Sequence, residues 1–211
     1  RAIRDVYKRQ HDSIAVGEDG PTHEPIEHLA SLRTIPNTYV FRPADATEAQ
    51  AAWYLSQKTN DKPTSIVLTR QNLPILENSS FEKVAKGAYV VHETASDFDT
   101  ILIATGSEVA LAIDVARELE KDGSKVRVVS MPSVELFEEQ SKEYKEELLP
   151  LNVRRRVSLE MGNSALWYKY VGLDGLAIGI DKFGASAPAN KVIEEYGFTV
   201  EAVVEKIKNE L

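Results

Sequence analysis

The chain of 211 residues has no cysteine, only two methionines and two tryptophans, and no apolar run near the ~20 residues that span a bilayer. Without cysteine, disulfides and thiolate chemistry are excluded, and a reducing compartment is allowed. Positive charge is in the minority: 25 Lys and Arg against 33 Asp and Glu give a net charge of −8. A field of that sign repels nucleic acid and anionic membrane surfaces, so neither is expected as a partner, and an anionic ligand has to be gripped by a local cluster of donors. Nothing at the start resembles a signal peptide, and there is no internal repeat or low-complexity tract. A cytoplasmic protein is the expectation.

What is present is globular. Hydrophobic residues make up 43% of the chain, enough to bury a real core. The pattern alternates strand and helix, which predicts an α/β fold with a mostly parallel or mixed sheet. Residues 24–34 have helical apolar spacing, 38–41 are a short β-rich run, Asp45 caps an Ala-rich helix through Gln57, and 64–69 read as a buried strand. From 71 to 86 the order dissolves into Asn, Ser, Pro and Glu, a linker composition. A second unit follows, with strands at 87–92, 100–104, 125–130, 154–159 and 176–180, and helices at 107–121, 134–148, 188–196 and 200–211.

The most informative segment is His11 to Glu24, which packs two histidines, four acids, two glycines and a proline into fourteen residues. Gly17, Gly20 and Pro21 bend the backbone, and a bent polar loop can bring imidazole and carboxylate groups onto one small polar ligand. The plain alternative is a surface turn in which Glu18-Asp19-Gly20-Pro21 serves geometry and the histidines are incidental. A metal site is the third reading, since His11, His23 and His28 are close in sequence. His28 stands five residues after His23, however, and a helix would point the two rings about 140° apart, so metal is set aside.

Resemblance decides between the first two. The run His11 to Glu27, of form H-D-S-I-x-x-G-E-D-G-P-T-H-x-P-x-E, resembles the signature of the transketolase family. Further matches follow in order: Phe41-Arg42-Pro43-Ala44-Asp45, Leu68 to Pro74, Ala104 to Val109, and Phe183 to Pro188. The resemblance implies that 11–75 is part of the pyrimidine-binding domain of a thiamine-diphosphate enzyme. Residues 76–85 would be a linker, and 86–211 a transketolase C-terminal domain of three α/β/α layers. Residues 1–10, with Lys8-Arg9-Gln10 where the family has an apolar strand, are expected to be foreign to the fold. The second unit, with its own core, is expected to be more stable than the partial first one.

The resemblance also implies roles. The family transfers a two-carbon ketol unit between sugar phosphates, and the chain would be one part of such an enzyme, inactive alone. His11 and Arg70 match positions that bind the sugar phosphate. Asp19 matches a carboxylate that accepts a hydrogen bond from the substrate's C2 hydroxyl. His23 matches a histidine facing the transferred group, either relaying a proton or orienting it, and is the expected catalytic residue. Without the family, Arg70 would read as a strand-end arginine in a surface ion pair. Thiamine diphosphate and a divalent cation, Mg or Ca, would be held by regions the chain lacks, in a homodimer of the pentose phosphate pathway; no cofactor or metal ligand is assigned within this sequence. Ser107 is expected to be a plain helix N-cap, Asp12 and Glu18 loop stabilisers, Arg154-Arg155-Arg156 a half-exposed strand start, and Trp53, Trp167, Tyr168 and Tyr170 core or interface residues. The alternative is a non-catalytic assembly or regulatory module, which would tolerate loss of His11, Asp19, His23 and Arg70. Deoxyxylulose-phosphate synthase and the 2-oxo acid dehydrogenase components fit the signature less completely.

Overall fold

Two sheets carry the chain in this computed structural model, which describes the backbone of residues 6–9 and all of residues 11–211. The first is a three-stranded parallel sheet of β1 (Val6–Arg9), β2 (Tyr39–Phe41) and β3 (Thr64–Val67) in the order β1-β3-β2. Its helices are α1 (His28–Arg33) and α2 (Ala46–Lys58). The second has five strands, β4 (Tyr89–Glu93), β5 (Thr100–Ala104), β6 (Val126–Ser130), β7 (Arg155–Leu159) and β8 (Leu176–Ile178), in the order β4-β6-β5-β7-β8. Only the edge strand β4 runs antiparallel to its neighbour. Around this sheet lie α3 (Phe81–Val84), α4 (Glu108–Lys121), α5 (Val134–Glu138), α6 (Lys142–Leu148), α7 (Tyr168–Val171), α8 (Ala189–Glu195) and α9 (Val200–Glu210).

The three-layer arrangement of the second unit follows from β5. All five of its residues are buried, and they alternate between two apolar clusters: Leu102 and Ala104 pack with α4 and α9, while Ile101 and Ile103 pack with Phe137, Leu148 and Trp167. A strand apolar at every position needs cover on both faces. Helix α4 supplies one cover with Val109, Ala112, Val115, Ala116 and Leu119, a stripe at helical spacing.

Several expectations shift. Residues 6–9 join the first sheet as β1, in parallel register with Val6 opposite Thr64 and Arg9 opposite Val67. A backbone ladder needs no particular side chains, and an edge strand accepts a charged sequence more readily than a central one. Residues 1–5 and 10 of the expected foreign segment lie outside the described residues. The expected linker is packed rather than loose: it contains α3 and buries Leu76 and Val84. The helix expected over 24–34 is confined to α1, and that over 134–148 is split into α5 and α6. Ser107 precedes α4 without capping it, its hydroxyl instead donating to Glu108 Oε1 at 2.5 Å. Trp167 and Tyr170 are buried, but Trp53 and Tyr168 are 40% and 54% exposed.

The two units share one core. Ile14, Phe41, Ala51 and Ile66 from the first belong to the same apolar cluster as Leu102, Val128 and Leu159 from the second. Polar groups cross the same boundary. Arg42, at the end of β2 and fully buried, donates through Nε to Asp12 at 3.0 Å and through Nη1 to the Thr105 carbonyl at 2.9 Å, and it pairs with Glu108. Glu108 in turn accepts from the Met161 N–H at 2.8 Å. Close by, Glu160 accepts from Arg33, from Thr105 Oγ1 at 2.7 Å and from Trp167 Nε1 at 2.8 Å. Burial alone would raise the Glu160 pKa, but Arg33 and Arg42 hold it at about 2.

Candidate active site

The carboxyl ends of adjacent parallel strands are where open α/β sheets place ligands. His11 follows β1 by two residues and Arg70 follows β3 by three, and the two strands are paired. The segment after His11 is built as a sharp loop. Ser13 caps a short 3-10 stretch, Ile14–Asp19, by accepting from the Ala15 N–H at 3.3 Å. Ile14, Ala15 and Val16 are its buried anchor, which the polar composition of the segment conceals. Gly17 and Gly20, with φ of +76° and +75°, turn the chain back in a conformation that a side chain would strain.

This geometry brings the four sequence-predicted site residues together in two pairs. His11 and His23 approach to 5.8 Å between ring centroids, and Thr22 Oγ1 lies 3.0 Å from His23 Nδ1. Both rings line an open cleft of about 400 Å³, whose walls also include Pro21, Thr22, Glu24, Pro25 and His28. Arg70 and Asp19 form an ion pair at 2.5 Å, with about half of each side chain exposed. They do not line that cleft. The plain reading of Arg70 as a surface ion-pair partner is thus met in its geometry, although its partner is the very loop that carries the histidines.

Two groups near the loop escaped sequence reasoning. Asp12 is no ordinary loop stabiliser but the buried partner of Arg42, at 2.8 Å. Glu24 is 5% exposed and accepts from the Ala185 N–H at 3.0 Å through Oε2. Arg42 stands in the run Phe41 to Asp45, and a lone charge directly after an apolar strand is its signal in the sequence. Glu24 gave none. Although His11, His23, His28 and Glu24 share one cleft, no group of three or more His, Cys, Asp or Glu able to hold a metal occurs among the described residues. Nor is any helix among them long and apolar enough to cross a membrane.

Known proteins match along nearly the whole chain. Residues 6–75 match the family described as transketolase, pyrimidine binding domain, and 87–199 match the transketolase-like C-terminal domain. A probable transketolase of Streptococcus pneumoniae is 66% identical over 97% of the chain, and the transketolase of Bacillus subtilis 55% identical over 96%. The chain spans 31% of the length of each of these relatives. Among solved structures, a transketolase from Pichia stipitis in complex with sedoheptulose-7-phosphate superposes with a TM-score of 0.90 at 44% identity, covering 95% of this chain and 29% of that one. A split-gene transketolase described as an inactive beta4 tetramer shares the fold at 23% identity, with a TM-score of 0.76, and the chain covers 66% of it. Two family domains in the right order, with relatives of this identity along nearly all of this chain, place the chain in the transketolase family.

Proposed function

We propose that this chain forms the sugar-phosphate side of a transketolase active site, in which a two-carbon ketol unit passes between sugar phosphates, as in the pentose phosphate pathway. The observation that carries the reading is that the loop after β1, which bears His11, Asp19 and His23, is tied through Asp19 to Arg70, just beyond the carboxyl end of the paired strand β3. Arg70 offers a planar fork suited to a phosphate, with His11 as a further donor. Its exposed pair with Asp19 is weak enough to open or to be shared with a ligand. Asp19 would then accept from a substrate hydroxyl. His23, with Thr22 on Nδ1, has Nε2 for moving a proton to or from the transferred group.

Thiamine diphosphate, when bound, supplies the carbanion chemistry. We assign no part of its grip to this chain: the sequence has no Gly-Asp-Gly diphosphate motif, and no group of three or more His, Cys, Asp or Glu among the described residues is placed to hold a metal. The cofactor and its Mg or Ca would be held by protein outside this span, in a homodimer, in the cytoplasm. The chain alone would be catalytically silent.

The test is a titration of the chain with a phosphorylated aldose, followed by the ring resonances of His11 and His23. We expect a weak saturable response that is lost in Arg70→Ala and absent with the unphosphorylated sugar. A response indifferent to the phosphate, or none, would overturn the assignment.

A further inference from the structure

The outer side of the signature loop lies against a strip from the far end of the chain, residues 183–189, and the fit between them is close at every point. Ala185 N–H donates to Glu24 Oε2 and Ser186 Oγ donates to the Glu18 carbonyl, both at 3.0 Å. A Cβ added to Gly17 would stand 2.8 Å from the Ala189 nitrogen, and one added to Gly20 would stand 3.1 Å from Ser186 Cβ. One added to Gly184 would stand 1.9 Å from Glu24 Oε2. The two segments meet with no room for a side chain on either glycine of the loop or on Gly184.

The anchors fall at telling positions. Glu24 is the residue after His23, and Glu18 is the residue before Asp19. Both His23 and Asp19 carry exposed side chains, which nothing buried holds directly. Each is therefore placed by a neighbour one peptide away that is tied to the strip. Ion pairing cannot explain Glu24, because its contacts are with backbone N–H groups, Ala185 in the strip and Gly17 in the loop, so its carboxylate lies between the two segments. A buried carboxylate is a costly way to fill space. Its retention at this point makes sense if the loop must be held in one geometry, since a site loses effectiveness when its groups are displaced by an ångström or so.

We infer that the strip 183–189 is the template that sets the signature loop, with Glu24 and Gly184 as positioning residues for His23 and Ser186 as the positioning residue for Asp19. The second unit thereby takes part in the site without touching a ligand. The value of such positioning rests on the function proposed above, whereas the geometry does not.

The experiment is amide exchange and histidine ring spectroscopy on the full chain. Gly20 and His23 N–H groups bond to the Gly17 and Gly20 carbonyls at 3.0 and 2.9 Å and report the loop's order. In Gly184→Ala, which drives Glu24 from its seat, and in Glu24→Ala, both amides should exchange about tenfold faster or more, as loss of one buried hydrogen bond allows. The His11 and His23 ring signals should move, and β5 amides should keep their rates. Glu24→Gln, which keeps an acceptor for Ala185, should stay within about twofold of the parent, the rescue that a conserved hydrogen bond permits. Should Gly184→Ala not fold, Ser186→Ala, an exposed change, should still speed Gly20 exchange. Unchanged loop exchange in Glu24→Ala, or acceleration shared equally by β5, would overturn the inference. If the loop responds while the parent chain ignores phosphorylated aldoses, the positioning role stands and the functional reading falls.

Discussion

Arg33 donates two parallel hydrogen bonds of 2.8 Å to Glu160, 127 residues further along the chain, and both side chains are only 1% exposed. One residue ends α1 of the first unit and the other follows β7 of the second, so the pair spans the boundary between them. The guanidinium also stacks on Trp167, 5.5 Å from the ring centroid. A bidentate pair of this kind offsets the desolvation of both ions only while both are present.

Removing one partner should therefore damage the whole chain. Arg33→Ala should lower unfolding free energy by about 3–5 kcal/mol, because Glu160 is left charged and buried. The double variant Arg33→Met, Glu160→Leu should lose distinctly less. Urea unfolding of the three proteins checks this; equal losses in the single and double variants would show that packing, not the stranded charge, dominates.

Stability should depend on pH through Glu48. This fully buried residue accepts from the Ala44 N–H at 2.7 Å, from Tyr89 Oη at 2.8 Å and from Ser130 Oγ at 2.6 Å, and joins α2 to β4 and β6. Burial pushes its pKa up from 4.5 to about 7. A raised carboxyl favours folding fully below the unfolded pKa, and the benefit is lost as pH rises through the folded one. Between pH ~4.5 and ~7 the parent should lose on the order of 3 kcal/mol relative to Glu48→Gln, at 1.36 kcal/mol per pKa unit. Glu160, held low, contributes the opposite slope, losing stability as pH falls from 4.5 towards 2. Chemical denaturation of parent and Glu48→Gln at steps of pH measures the difference, and parallel curves would refute the assignment.

Arg70 and Asp19 should behave otherwise. Their pair is half exposed, so either alanine variant should change stability by less than about 1 kcal/mol. In an enzyme containing this span, Arg70→Ala should raise KM for phosphorylated sugars selectively. Asp19→Ala should lower turnover most for acceptors bearing a 2-hydroxyl, since a site built around a hydroxyl discriminates through its otherwise unpaired partner. Steady-state kinetics with paired acceptors would expose an error if both variants lost activity equally on all of them.

The chain by itself should show neither ketol transfer nor measurable affinity for thiamine diphosphate with magnesium. A diphosphate needs a metal and a ring of donors, and no group of three or more His, Cys, Asp or Glu among the described residues is placed to hold the metal. Titration calorimetry and a ketol-transfer assay suffice, and saturable micromolar binding or turnover above the blank would contradict the expectation.

The parts of this fold legible in the sequence are those in which local pattern and tertiary need agree. Strand β5 is apolar throughout because both its faces are covered, and α4 has its stripe because it covers one of them. Asp45 was identifiable as a cap, and it does accept from the Glu48 N–H at 2.7 Å. The signature loop was visible as a polar cluster, and its four residues came from family resemblance rather than spacing. What sequence could not show is where a buried charge finds its partner. Arg42 meets Glu108 66 residues away, Tyr89 meets Glu48 across 41, and nothing periodic marks either. For the same reason the core that both units share is not announced by any local pattern.

The strand order β4-β6-β5-β7-β8 has a consequence of its own. The chain winds from β5 outward to β6 by way of α4, then returns past β5 to lay down β7, so the winding direction reverses between β5 and β7. At such a reversal the loops leaving the two strands part, and doubly wound proteins usually seat a nucleotide or other small molecule in the gap. Here the gap is bounded by Thr105 and Glu108 after β5 and by Glu160 and Met161 after β7, and the groups lodged in it are the guanidinium heads of Arg33 and Arg42. In this chain the space beside that reversal is filled from within, by two arginines of the first unit paired with carboxylates of the second.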